Sequence, residues 1–153
     1  CAGLTEIGSW AFGDCTGLTE VLLPERLAKI GGNVFIRCSN LHTLTVDPTN
    51  KTYCSKDNVL YTKDMKTLVC ATKNITHISI PDTVTEICGC AFENCTGLTN
   101  IDLSACTSLI EIDKYAFEGI SPDVRFTVAT EAVKELLKGS GIKDEQITVK
   151  DAN

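Results

Sequence analysis

At 153 residues the chain has the length of one ordinary domain, and 43% hydrophobic with 22% charged residues excludes global disorder. The net charge of −6 argues against nucleic acid as a partner, because proteins that track phosphates carry a basic face. No run approaches the ~18 apolar residues of a membrane span, so this segment is not expected to insert into a membrane.

Taken in chain order, residues 1–14 read as the back half of a repeat. Leu4, Ile7 and Phe12 return as Leu27, Ile30 and Phe35, with Phe12 and Phe35 standing 23 residues apart. A period of that size marks a solenoid. Because solenoid ends need polar caps, a start inside a repeat predicts further repeats upstream. A lipidated Cys1 is the rival reading, although lipidation usually precedes a polar tether.

Residues 15–37 form one complete unit. Leu18, Val21 and Leu23 point inward while Glu20 and Leu22 alternate outward, the pattern of a half-buried strand. Pro24 ends the strand because it cannot donate to the ladder. Leu27 and Ile30 restart a short extended piece, Gly31-Gly32 turns the chain, and Val34 and Phe35 plug the interior.

The third unit keeps Leu41, Leu44 and Val46, then breaks at Asp47-Pro48-Thr49-Asn50. An insertion over about 47–72 follows, in which Val59-Leu60-Tyr61 and Thr67-Leu68-Val69 flank a charged turn and predict a hairpin. Cys54 and Cys70 bracket it, and a bridge between them is an open reading.

Residues 73–94 resume the phrase with Ile75, Ile78 and Ile80 inward, and residues 95–120 repeat it with a surplus in Ser104–Ser108. After Phe117 the pattern stops. Val124–Val128 and Gln146–Val149 predict strands on either side of a helix capped by Thr130 and ended by Gly139. The expected organisation is a repeat solenoid over residues 1–120, about five units with the first partial, and a strand–helix–strand cap over residues 121–153.

The recurring phrases Leu-x-x-Ile-x-Leu-Pro, Leu-x-x-Ile and Ala-Phe-x-x-Cys resemble the BspA-like leucine-rich repeats of bacterial cell-surface proteins. The resemblance covers essentially residues 1–120, and the inserted Asn58-Val-Leu-Tyr-Thr-Lys-Asp also looks like an insertion of that family. It implies a right-handed curved solenoid with parallel strands on one side; with short turns or helices and the C-terminal α/β cap read above, the expected fold class is β-rich α/β. It also implies export, a cell-surface or extracellular location, and adhesion to host proteins or other cells. The shared residues are core residues, so no binding site carries over.

Nine cysteines invite a disulfide or metal reading. The repeat absorbs several of them: Cys15, Cys38 and Cys95 share one repeat position, and Cys1 shares another with Cys106. Small buried apolar side chains are the expectation there. Cys88-Gly-Cys90-Ala-Phe-Glu-Asn-Cys95 could begin a thiolate metal site, but Cys95 belongs to the interior and a tetrahedral site needs four ligands. A disulfide from Cys88 or Cys90 to the next coil is the better alternative. His42 and His77 lack the oriented base and oxyanion donors of a nucleophilic pair and read as solvent-facing. Asn-x-Thr triplets stand at Asn50, Asn74 and Asn94, the last at an expected core turn. No catalytic residue, metal site or cofactor is implied.

What remains for function is the outward row of the main strands: Glu20, Leu22, Thr43, Thr45, His77, Ser79, Asn100 and Asp102. Curved solenoids bind partners on such rows. The expected activity is non-catalytic binding of a protein or glycan on host or neighbouring cells, with a spacer role or a cysteine-rich metal protein as alternatives.

Overall fold

The computed structural model describes residues 3–150. Each regular coil contributes a main strand, a two-residue second strand, and a turn carrying the repeat phenylalanine. The main strands are β2 (Glu20–Leu23), β4 (Thr43–Val46), β8 (His77–Ser79) and β10 (Asn100–Leu103). β12 (Arg125–Val128) and β13 (Ile147–Val149) continue the same parallel ladder, so the strands beyond the recognised repeats still add rungs. The second strands are β1 (Glu6–Ile7), β3 (Lys29–Ile30), β9 (Glu86–Ile87) and β11 (Glu111–Ile112), also in parallel register.

Inward residues of the main strands stack directly on one another: Val21 on Leu44, and Ile78 on Ile101 on Phe126. Stacking buries an apolar edge that no single coil could cover alone. In the turns, Phe12 lies on Phe35 with ring centroids 5.6 Å apart, and Phe92 lies on Phe117 at 5.3 Å. Coils approach so closely that a Cβ on Gly31 would sit 2.2 Å from the Ser9 nitrogen, which leaves only glycine at that position.

The third coil is rebuilt. β5 (Tyr53–Lys56), β6 (Val59–Thr62) and β7 (Thr67–Ala71) form an antiparallel meander, one strand more than the hairpin read from sequence. Asp57 and Asn58 have φ of 51° and 62°, as a tight two-residue hairpin requires. β7 then pairs with β9 and serves as that coil's second strand. β6 is buried on both faces. Leu60 packs with the N-terminal cluster, whereas Val59 and Tyr61 pack with the C-terminal one, so the interior is two cores with β6 as the wall between them.

β5 and the turn after it terminate the open ladder edges. The Tyr53 hydroxyl accepts from the Ile30 N–H at 3.0 Å, Ser55 Oγ from the Val46 N–H at 3.0 Å, and Asn58 Oδ1 from the Leu44 N–H at 3.2 Å. Asn50 is fully buried; its amide donates to the Pro24 and Leu27 carbonyls and its oxygen accepts from the Thr52 and Tyr53 N–H groups. The first Asn-x-Thr triplet is therefore a structural clamp. Asn94, expected in a core turn, is exposed and donates to Glu93.

At the C-terminal end, helix α1 (Glu131–Gly139) is capped by Thr130, whose hydroxyl accepts from the Val133 N–H at 3.3 Å. Gly139 ends the helix as expected, but not as its left-handed stop. It is the last helical residue, Ser140 is the cap, and the left-handed residue is Gly141 with φ of 95°. Val133 and Leu137 face the core.

Candidate functional site

Alternation along the main strands puts the eight outward residues on one side of each rung. Glu20, Leu22, Thr45, His77, Ser79 and Asn100 are exposed, and Thr43 and Asp102 are half-buried. Leu22 is 70% exposed, the large apolar exception in a polar row. Asp102 is held down because its Oδ1 accepts from the Ser104 N–H at 2.8 Å, closing the end of its strand.

The row is divided. Glu20 pairs with Thr43 and Leu22 with Thr45 on the two-stranded β2–β4 sheet. His77 pairs with Asn100 and Ser79 with Asp102 on a four-stranded sheet, where Arg125, Thr127 and Thr148 prolong the row. β4 and β8 do not pair, because the β5–β6 hairpin occupies the edge of β4. At this break a groove of about 480 Å³ opens, with Lys56, Asp57 and Asn58 of the hairpin turn on one side and His77 and Ser79 on the other. Sequence spacing does not reveal this groove, since it depends on where the insertion folds back.

The row's prolongation carries an arginine, but Arg125 is tied to its own loop: its guanidinium donates to the Asp123 carbonyl at 3.0 Å. Exposed aromatic anchors lie elsewhere. Trp10 and Tyr115, 52% and 53% exposed, occupy the same repeat position in turns at the two ends of the solenoid, with the Lys114 ammonium 5.5 Å from the Tyr115 ring centroid. Asn33 and Cys90 hold that position in the coils between. The absence of an apolar constraint at this position is the sequence signal that an aromatic there faces solvent.

The cysteines among the described residues are thiols. Cys15, Cys38, Cys54, Cys70, Cys88, Cys90, Cys95 and Cys106 are all unbridged, and Cys1 lies outside the described residues. The Cys54–Cys70 bridge fails on geometry: Cys54 faces Tyr61 across β5–β6 and Cys70 faces Leu60 across β6–β7. Two strand steps separate them, about 10 Å, against the roughly 6 Å Cα separation of a disulfide. The Cys88 and Cys90 bridges to the next coil are likewise not formed. Cys38 and Cys95 make one recurring contact instead, each Sγ donating to a carbonyl of the preceding coil, Phe12 at 3.0 Å and Thr72 at 3.5 Å.

Burial pushes the Cys88 thiol up to about 11, with Glu86, Asp113 and Glu111 adding to the shift, and pushes Cys95 up to about 11. Cys90 is also raised, by burial first and then by Glu93 and Glu118. A thiolate nucleophile or ligand needs the opposite shift. Among the described residues no group of three or more His, Cys, Asp or Glu side chains is arranged to hold a metal ion. His42 and His77 are both exposed, each with a neighbouring threonine hydroxyl at its Nδ1.

The same architecture recurs in solved structures. A leucine-rich cell surface protein from Faecalibacterium prausnitzii superposes with a TM-score of 0.61 at 21% identity, covering 100% of this chain and 53% of that one. A leucine-rich repeat protein from Eubacterium ventriosum gives 0.57 at 23% identity, covering 82% of this chain and 37% of that one. The pneumococcal vaccine antigen PcpA gives 0.56 at 18% identity, covering 97% and 60%. The chain thus spans less than two thirds of each of these proteins. No curated protein matches the sequence. Residues 2–70 and 63–136 match the BspA type leucine rich repeat region, in six copies. The chain belongs to the BspA-type leucine-rich repeat family.

Proposed function

We propose that this segment is a non-catalytic binding module of an exported, surface-displayed protein, and that its divided strand row contacts a protein or glycan on host or neighbouring cells. The observation that carries this reading is the groove beside β8, where His77 and Ser79 of the row meet the hairpin turn in a recess of about 480 Å³. A recess lined by hydroxyl, amide, imidazole and charged groups suits a polar partner better than an apolar ligand. The description of the F. prausnitzii relative as a cell surface protein and of PcpA as a vaccine antigen supports surface display. Raised thiols and exposed histidines, whose Nδ1 meets a threonine hydroxyl rather than a carboxylate, support the non-catalytic part.

The test combines Glu20→Lys, His77→Ala and Asn100→Lys and measures binding to immobilised host-matrix proteins and mucin glycans. Asp102 is left intact because it closes its own strand. A loss of about tenfold or more is expected for contacts at the centre of an interface. Unchanged binding, or none by the parent chain, would sink the adhesive role of this row. A spacer role is the second reading, favoured by the internal tie of Arg125, which removes the row's one arginine anchor. Unaltered display of a fused domain with the row variant separates that role from adhesion.

A further inference from the structure

The turns of the regular coils are equal in length: Ile7 to Leu18, Ile30 to Leu41 and Ile87 to Leu98 each span 11 residues. β7 pairs Leu68 with Ile87, and Ile75 takes the place of Leu98, so the third coil crosses the same distance in 7 residues. Its turn is four residues short. The result is a cleft of about 440 Å³ between the turn at Gly31–Ile36 and the turn at Cys88–Cys90, floored by Val69, Cys70 and Ala71.

The flanking turns remain built for a neighbour. In the first coil, Trp10, Phe12 and Asp14 N–H groups donate to the Gly32, Val34 and Ile36 carbonyls of the next turn at 3.1, 3.0 and 3.0 Å. In the fourth, Cys90, Phe92 and Asn94 donate to Tyr115, Ala116 and Glu118 in the same way. The second coil's counterparts are Asn33, Phe35 and Arg37. The Arg37 N–H is taken by Glu93 Oε2 at 3.4 Å. Those of Asn33 and Phe35 have no partner among the described residues. Glu86 and Glu111 sit side by side in register across β9 and β11, and with Asp113 they help line the cleft. None of the three forms an ion pair among the described residues. Adjacent like charges are destabilising unless a cation answers them. All three charges raise the Cys88 thiol, which lines the same cleft.

We propose that this cleft is a peptide-binding site: a short extended segment of a partner protein replaces the missing turn, its carbonyls accepting from Asn33 and Phe35 and an arginine side chain reaching Glu86, Glu111 and Asp113. Where the third coil still follows its neighbours, the Lys73 N–H donating to the Leu41 carbonyl and the Ala71 N–H to the Ala91 carbonyl, a single chain fills the space between the flanking coils. The missing turn leaves that place open to one extended chain. Backbone pairing supplies affinity and the acidic wall supplies the choice of side chain. The site is separate from the strand row.

The probe is acetyl-Ala-Ala-Arg-Ala-Ala-amide, followed by amide chemical shifts of the intact segment, with the Ala-Ala-Glu-Ala-Ala peptide and argininamide as comparisons. The arginine peptide should move the Asn33 and Phe35 amides and bind about tenfold tighter than the glutamate peptide. Neutralising the wall with Glu86→Gln, Glu111→Gln and Asp113→Asn should erase that preference while leaving the fold intact. Gly32→Trp, at a position where an added Cβ meets nothing within 4 Å, should block the cleft and abolish the shifts. Unmoved Asn33 and Phe35 amides at millimolar peptide, equal binding of the glutamate peptide, or argininamide binding as well as the peptide would each overturn the proposal.

Discussion

Lys73 Nζ lies 3.1 Å from Glu93 Oε2, with only 10% and 6% of the two side chains exposed. The pair lies beside the shortened third-coil turn, and its groups replace missing backbone partners. The Lys73 ammonium also donates to the Glu93 carbonyl, while the Glu93 carboxylate takes the Arg37 N–H. A buried pair of this kind is expensive to break and cheap to replace, because removing one charge strands the other in a low-dielectric interior. Glu93→Ala should therefore cost about 3–5 kcal/mol, whereas Lys73→Met with Glu93→Leu should be near neutral. Urea unfolding of the two variants checks the contrast. Equal losses would mean that the pair's hydrogen bonds to backbone, rather than its charge, hold the junction.

Asn50 carries the entry to the meander on four side-chain hydrogen bonds, all at 3.0 Å or less. Asn50→Ala leaves two buried carbonyls and two N–H groups short of a partner, and each orphaned group costs about 1–3 kcal/mol when water cannot replace it. A total loss above about 3 kcal/mol is expected, together with loss of hydrogen-exchange protection at the Thr52 and Tyr53 amides. A stable variant with those amides still protected would refute the clamp.

Alkaline pH should destabilise the fold through its buried thiols. Burial pushes Cys95 up to about 11 and Cys106 up to about 12, from an ordinary value of 9.0 in the unfolded chain. Above pH 9 the unfolded thiols lose protons while the folded ones keep them, so unfolding is favoured as pH rises. Stability is fully present below pH 9 and declines through the folded values, by about 1.4 kcal/mol per pH unit for each thiol. Urea midpoints measured from about pH 8 to about pH 10.5 should fall, and Cys95→Ala with Cys106→Ala should flatten the slope. A slope unchanged in the double variant would place the titration elsewhere.

Much of the fold can be read from residue order. The alternation of Val21 and Leu23 with Glu20 and Leu22 sets one strand's two faces, and its recurrence sets the stack. Thr130 announces its helix because capping needs only the hydroxyl and the next three residues. Gly139 announces the end of that helix for the same local reason, and only the left-handed position falls two residues later, on Gly141. Asn50 stands out in the sequence only as the start of an Asn-x-Thr triplet, since nothing in Asn-Lys-Thr reveals that its amide meets the carbonyls of Pro24 and Leu27.

By itself, the sequence determined the repeat, the inward and outward residues of each rung, and the coil length to which the third unit is an exception. These are short-range properties: period, side-chain polarity and turn chemistry act within one coil. The tertiary structure decided how the exception is accommodated. It placed β6 as a wall between two cores, parted the outward row between Thr45 and His77, and left Asn33 and Phe35 facing a gap. Those outcomes depend on which coils become neighbours after the inserted strands fold back, and backbone hydrogen bonds between coils form only once that neighbour is in place.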